Sequence, residues 1–284
     1  MIYIVEHKGY KNDKHIIEIT DKVVSREEYD AFFSNFTIYG QFHQFKEIHE
    51  ICLESNLDLA KFMTQKNLNE LLRAKEIETE KVLQTGNKLL LNYCTVIKIM
   101  IEKIESYLVH NKPDKLDEFK KLCSGFYDSN FAYRFFMRLR NYIIHNGMPF
   151  TKINMALYEN CGIYIDRNHL LKWSGWSTVK KDLEKLSENE ISIQPLLQEI
   201  GGCIYAIYLQ SLYYLAPNVF KSVKNIEEFH QRYNIQRFDF IEMDSPEDFE
   251  KGKYEYHVVP MNRMIQCMEE MNKHPSIIIN VEKK

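Results

Sequence analysis

The sequence predicts a mainly α protein, a helical bundle with small peripheral β elements in its amino- and carboxy-terminal regions. Three observations predict it. Residues 66–110 are almost continuously helix-forming, and Leu89, Tyr93, Val96, Ile97, Met100, Ile104 and Leu108 recur there at the three- and four-residue spacing of an amphipathic helix. Residues 194–215 are nearly apolar all round (Leu196, Leu197, Ile200, Ile204, Ile207, Tyr208, Leu212, Leu215), as a helix at the centre of a bundle would be. Alternating or β-rich runs gather chiefly near the two ends, at 2–6, 15–20, 238–244 and 254–260.

Taken in order, 2–6 and 15–20 read as a hairpin or two edge strands around a loop carrying Gly9, Asn12 and Asp13. Ser25 and Glu28 form a capping box, in which each side chain reaches the other's backbone N–H. A helix follows to about 37, Gly40 is expected to break it, and a second helix runs from about 41 to 63. Within 66–110 the expected break is Thr85-Gly86-Asn87, and Asn111-Lys112-Pro113-Asp114 ends the region. A short helix over about 114–123 leads to the next. Gly162–Leu171 holds a short strand, and Trp173 and Trp176 flank a turn. We read those tryptophans as packing over a bundle end, base stacking being the alternative. Helices at 178–188, 194–215 and 222–234 follow. The strands at 238–244 and 254–260, a Met-rich helix at 262–273 and a final Ile-rich run close the chain. The organisation expected is 1–65, a β-hairpin with helices; 66–215, the helical bundle; and 216–284, an α+β extension. The alternation leaves open whether the terminal strands pair with each other.

Composition bounds the function. The chain has 284 residues, 45% hydrophobic and 27% charged, ordinary for globular folding and enough for one large or two modest cores. Its formal net charge of −3 supplies no global basic field to hold nucleic acid. The six cysteines form no C-x-x-C pair, which suits a reducing cytoplasm better than a disulfide scaffold or zinc site. His49 and Cys52 share a helix face, but no second ligand pair accompanies them. No metal and no cofactor are therefore expected. The start, MIYIVEHKGY, lacks the apolar run of a signal peptide. Gly201–Pro217, interrupted by Gln210 and Ser211, is too short to span a bilayer. The expectation is a cytoplasmic chain without a membrane partner.

The stretch carrying chemistry is Phe131–Phe150. Asp128, Ser129 and Asn130 offer side-chain oxygens to cap a helix, and Gly147 and Pro149 stop it. Over about 130–146, Ala132, Phe136, Leu139 and Ile143 form an apolar stripe. Arg134, Arg138, Asn141 and His145 form a second, polar one, with Phe135, Met137 and Tyr142 beside it. Arg134, Arg138 and Arg140 are the local basic patch that RNA binding would need.

Arg140-Asn141-Tyr142-Ile143-Ile144-His145 resembles the R-[N/D/H]-x-x-x-H signature of the HEPN superfamily. The resemblance covers 66–215 as a helical bundle, and its specific matching covers only the motif. It implies a metal-independent endoribonuclease, paired so that two motifs meet in one cleft, with 2′,3′-cyclic phosphate products and a role in prokaryotic defence or toxin-type growth arrest. A regulatory protein or antitoxin is an implied partner. Gly147 occupies the position two after the histidine where a common family variant has Tyr, which argues against regulation by modifying that Tyr.

The residue types suit this chemistry. RNA carries its own nucleophile, the 2′-hydroxyl. His145 would move protons as general base or acid, because imidazole titrates near neutrality. Arg140 would hold the phosphate and its transition state through a guanidinium fork. Asn141 would orient the histidine or bind substrate, and Arg134, Arg138 and Tyr142 would contact RNA. Five residues on an ideal helix turn through about 140°, so Arg140 and His145 diverge unless the helix distorts or a second copy completes the site. A homodimer is expected, with Phe135 and Tyr142 covering its contact or, alternatively, filling the chain's own core. The competing function is a non-catalytic bundle that binds a protein partner or RNA.

Overall fold

The computed structural model describes residues 1–11, 14–73, 78–154 and 162–278. Their elements run β1 (Ile2–Lys11), β2 (Lys14–Val24), α1 (Arg26–Ser34), α2 (Thr37–Phe62), α3 (Gln65–Arg73), α4 (Thr79–Asn111), α5 (Pro113–Ser129) and α6 (Phe131–His145). Then come β3 (Phe150–Asn154), β4 (Gly162–Asp166), α7 (Arg167–Leu170), α8 (Val179–Lys185), β5 (Glu190–Ile191), α9 (Gln194–Tyr233), β6 (Phe238–Glu242), α10 (Glu247–Glu250), β7 (Glu255–His257) and α11 (Met261–Asn272). The protein is mainly helical, with small antiparallel sheets. None of the described helices is long and apolar enough to cross a membrane.

The chain divides into two compact units rather than the three consecutive segments expected. One joins Met1–Gln44 to Leu212–Lys284, and the other is Phe45–Ser211. The first unites both ends because β1 pairs antiparallel with β6, Ile2 opposite Glu242 through Glu6 opposite Phe238. The sheet order is β2-β1-β6-β7. Alternation alone could not reveal this pairing, since Phe238, Asp239, Phe240 and Ile241 are all buried. Gly9 takes a positive φ of 108° beside the register irregularity of the β1–β2 hairpin, where a Cβ would be strained. Phe32 meets Phe229, Phe238 and Phe240 at ring-centroid distances of 4.5, 5.6 and 5.4 Å, and this aromatic cluster packs α1 and α9 onto β6.

Local signals hold where one side chain decides. The Ser25–Glu28 capping box is formed. Gly40 does not break its helix: the boundary lies at Asn35, whose side-chain amide donates to the carbonyls of Ala31 and Phe32 at 2.9 and 3.1 Å and ends α1. Pro217 does not end α9 either. Leu215, Val219, Ser222, Ile226 and Phe229 keep one buried face in phase across it, and burial of that face outweighs proline's cost of about 3 kcal/mol. The final Ile-rich run lies largely outside the described residues.

In the second unit, α4, α5 and α6 pack together and β3-β4-β5 form a small sheet. The expected break at Gly86 is absent, and α4 runs through it. Gly86 has another reason: a Cβ there would sit 3.1 Å from the Phe62 ring and 3.3 Å from Phe150. The neighbouring Asn87 binds the backbone of Phe150 twice, donating to its carbonyl at 2.8 Å and accepting from its N–H at 3.0 Å. Together they seat the start of β3 on α4, immediately after the motif helix.

Candidate functional site

α6 is a regular helix from Phe131 to His145. Asn130 caps it by accepting from the Tyr133 N–H at 2.8 Å. At its other end the N–H groups of Asn146 and Gly147 both reach the Tyr142 carbonyl, at 2.8 and 3.3 Å. The helix therefore neither ends early nor distorts within the motif. Arg140 and His145 stay about 140° apart around its axis.

The predicted apolar stripe, Ala132, Phe136, Leu139 and Ile143, is buried throughout. Phe135 and Tyr142 are buried as well, both with 0% exposure. Their rings stack on Trp176 at 5.8 and 5.4 Å between centroids, and Trp176 donates its indole N–H to the Leu170 carbonyl at 2.6 Å. These aromatics fill the core of their own chain. Neither ring is on the surface to cover a second copy, and Tyr142 is not placed to touch substrate. Wheel positions alone did not separate them from the polar stripe; the Trp176 turn that covers them comes from more than thirty residues away, roughly beyond the reach of helical periodicity.

The polar stripe splits into three environments. Arg134 is structural: its Nε donates to Asp182 at 2.7 Å, and one terminal nitrogen reaches the carbonyls of Tyr127 and Asp128, both at 3.3 Å. It ties α6 to α8 and to the end of α5. Arg138 donates to the Tyr127 hydroxyl at 3.0 Å and lies over that ring. His145 is exposed on the last turn of α6.

Arg138, Arg140 and Asn141 line a cleft of about 340 Å³ between α4, α5 and α6. Lys98 of α4 also lines it, as do Ser124 and Tyr127 of α5, and Ile101 and Met137 form apolar wall. No carboxylate lines the cleft among the described residues. The Arg140 Nε is buried and without a hydrogen-bond partner among them. Two cysteines in the wall do not balance this charge. Burial pushes the Cys94 thiol up to about 12, against the opposing pull of Arg140, and the Cys123 thiol up to about 11; both stay neutral at physiological pH. Arg140 is half-buried, and a cationic nitrogen buried without a partner costs free energy, so the arrangement is suited to an anion. Lys98 was not anticipated: it sits on another helix, with no local motif around it.

The structure thus brings Arg138, Arg140 and Asn141 together with Lys98, and leaves Arg134, Tyr142 and His145 outside that group. Elsewhere, within the terminal unit, Glu242 of β6 comes together with Glu255 and His257 of β7, their ligand atoms all within 4.8 Å of one another. Sequence spacing hid this cross-strand cluster. Arg26 already pairs with Glu242 there. The chain matches no family model, no curated protein and no solved structure.

Proposed function

We propose that the helical unit binds RNA through its phosphates at the Arg140 cleft and cleaves it without metal, as an endoribonuclease of the HEPN type. One observation carries the reading: a buried, unpartnered guanidinium nitrogen in a cleft lined by Lys98 and Arg138 and by no described carboxylate. Arg140 holds the phosphate and stabilises the charge that develops on it, through charge-assisted hydrogen bonds strengthened by partial burial. Asn141 positions substrate beside it. His145 moves protons between the 2′-hydroxyl, the leaving 5′-oxygen and water. Because His145 lies on another face of α6, a complete site takes the histidine from a second copy. Ile144 and Met148 flank it with 53% and 46% exposure, an apolar surface that such a homodimer would cover. The products would carry 2′,3′-cyclic phosphate ends. The biological setting proposed is cytoplasmic defence or growth arrest, restrained by an antitoxin or regulatory protein.

The test is RNA cleavage by the purified chain in EDTA. Wild type should cleave; His145→Ala should bind RNA without cleaving it. Arg140→Ala should lose both, and Arg140→Lys should not fully restore them, because lysine lacks the bidentate fork. A mixture of the two inactive alanine chains should regain activity if each site draws on both copies. Activity that disappears in EDTA and returns with Mg²⁺ would show the chemistry to be wrong. The position of His145 outside the cleft favours a second reading, a bundle that binds RNA without cutting it. Binding with no cleavage by wild type would select that one.

A further inference from the structure

The cleft's charge, size and walls point to a further ligand besides the RNA strand. We propose that it also receives the terminal phosphate monoester of a single nucleotide, and binds it more tightly than the internal diester of a strand. This rests on the phosphate reading of the Arg140 cleft, and not on cleavage.

Charge is the first argument. Three cationic side chains, Lys98, Arg138 and Arg140, line the cleft. A phosphate monoester carries a charge of about −1.5 to −2 at neutral pH and three strong acceptor oxygens; an internal diester carries a single charge and two non-bridging oxygens. The cations are not equally available. Lys98 also reaches Glu102 at 3.4 Å in an exposed pair along α4, of the kind that contributes little and exchanges readily. Arg138 already donates from Nε to Tyr127. Arg140 is the group whose Nε is buried and has no described partner, so it is the primary ligand, and the other two complete the charge.

Size is the second. A cleft of about 340 Å³ lies at the lower end of small-molecule sites, which run from about 300 to 1,000 Å³, and takes one nucleotide. A longer strand reaches beyond it, since a groove that tracks a backbone spans about 4 to 16 nucleotides. The walls are the third. Ile101 and Met137 give apolar surface, and Ser124 and Asn141 present hydrogen-bonding groups, which is the mixture a nucleoside needs beyond its phosphate.

The experiment is calorimetric titration of the full chain at low salt with four ligands: 2′-deoxyadenosine 5′-monophosphate, 2′-deoxyadenosine, inorganic phosphate, and the 2′-deoxy dinucleotide with a single internal diester. None contains a 2′-hydroxyl beside a phosphate, so cleavage cannot intervene. The monophosphate should bind at least about tenfold tighter than the dinucleotide or the nucleoside, and tighter than inorganic phosphate. Arg140→Gln should weaken monophosphate binding by about tenfold or more, and Lys98→Gln, on a different helix, should weaken it by less. Circular dichroism confirms that each variant is folded. Equal or tighter binding of the dinucleotide overturns the proposal. So does monophosphate binding that survives both substitutions. Phosphate binding as tightly as the monophosphate would leave a free-phosphate site and overturn the nucleotide assignment. If RNA cleavage is absent and the monophosphate still binds, only the catalytic reading fails. If long RNA needs Arg140 and the monophosphate does not bind, only this proposal fails.

Discussion

Asp239 in the terminal unit is withdrawn from water and Arg140 in the helical unit is half-buried with a buried Nε, and the two are treated in opposite ways. Asp239 is 4% exposed and fully engaged: it accepts from the Val259 N–H at 2.7 Å and the Tyr256 hydroxyl at 2.5 Å, and meets the His7 Nε2 at 2.9 Å. Arg140 keeps a buried nitrogen with no described partner. A fully satisfied buried charge joins elements and fixes a unique arrangement. An unsatisfied one destabilises the empty protein and is retained where something else binds it. The contrast separates a structural polar site from a binding one by hydrogen bonds taken together with the open cleft that Arg140 lines.

The largest effect should come from breaking the satisfied site. Asp239→Ala leaves the Tyr256 hydroxyl and the Val259 N–H without their acceptor and should destabilise the terminal unit by about 3 kcal/mol, read by urea denaturation. A loss below about 0.5 kcal/mol, the size of an ordinary surface substitution, would show that this network contributes little. Asn87→Ala is the same experiment on a neutral group. It leaves both backbone groups of Phe150 unpaired and should cost about 2 kcal/mol. If the loss is near zero, water replaces the amide, and the satisfied class does not predict stability.

The smallest effect tests whether lack of a partner alone marks a site. The His230 Nε2 is also buried without a described partner, but the cleft of three cations is elsewhere. Burial holds the His230 pKa below its ordinary value. The unfolded chain therefore takes up a proton before the folded one does. The His230 contribution is intact above the unfolded value of about 6.5 and is lost as the pH falls towards the lowered folded value. His230→Gln should flatten the decline in stability between about pH 7 and pH 5, and no ligand of Arg140 should alter it. An unchanged pH profile would remove His230 from the account.

Much of the fold was legible because short-range rules decided it. The capping box at Ser25, the Asn130 cap and the buried stripe from Ala132 to Ile143 each depend on neighbours three or four residues away. Gly40 and Gly86 misled for one reason: each was read as a break from its local propensity, while the helix runs through it. Gly86 is where Phe62 and Phe150 come close, and the helices expected at 194–215 and 222–234 run on as one past the exposed Pro217, with Leu215 and Val219 buried on either side of it. The site was legible in part. Arg140 and Asn141 came from the motif, and Arg138 from the basic patch. Lys98 and the Trp176 cover over Tyr142 depend on elements distant in sequence, and a helical wheel drawn for α6 alone contains neither.

The central claim is that Arg140 is held for a ligand and not for the fold. Thermal unfolding of Arg140→Met, with and without phosphate, tests it most directly. Methionine keeps the apolar stem and removes the unpaired charge. In phosphate-free buffer the variant should unfold at the same midpoint as wild type or higher, gaining up to about 2 kcal/mol. Added 2′-deoxyadenosine 5′-monophosphate should raise the midpoint of wild type alone. A variant that unfolds several degrees below wild type without ligand, roughly a loss of 1 kcal/mol or more, would mean that Arg140 supports the fold, and would contradict the account.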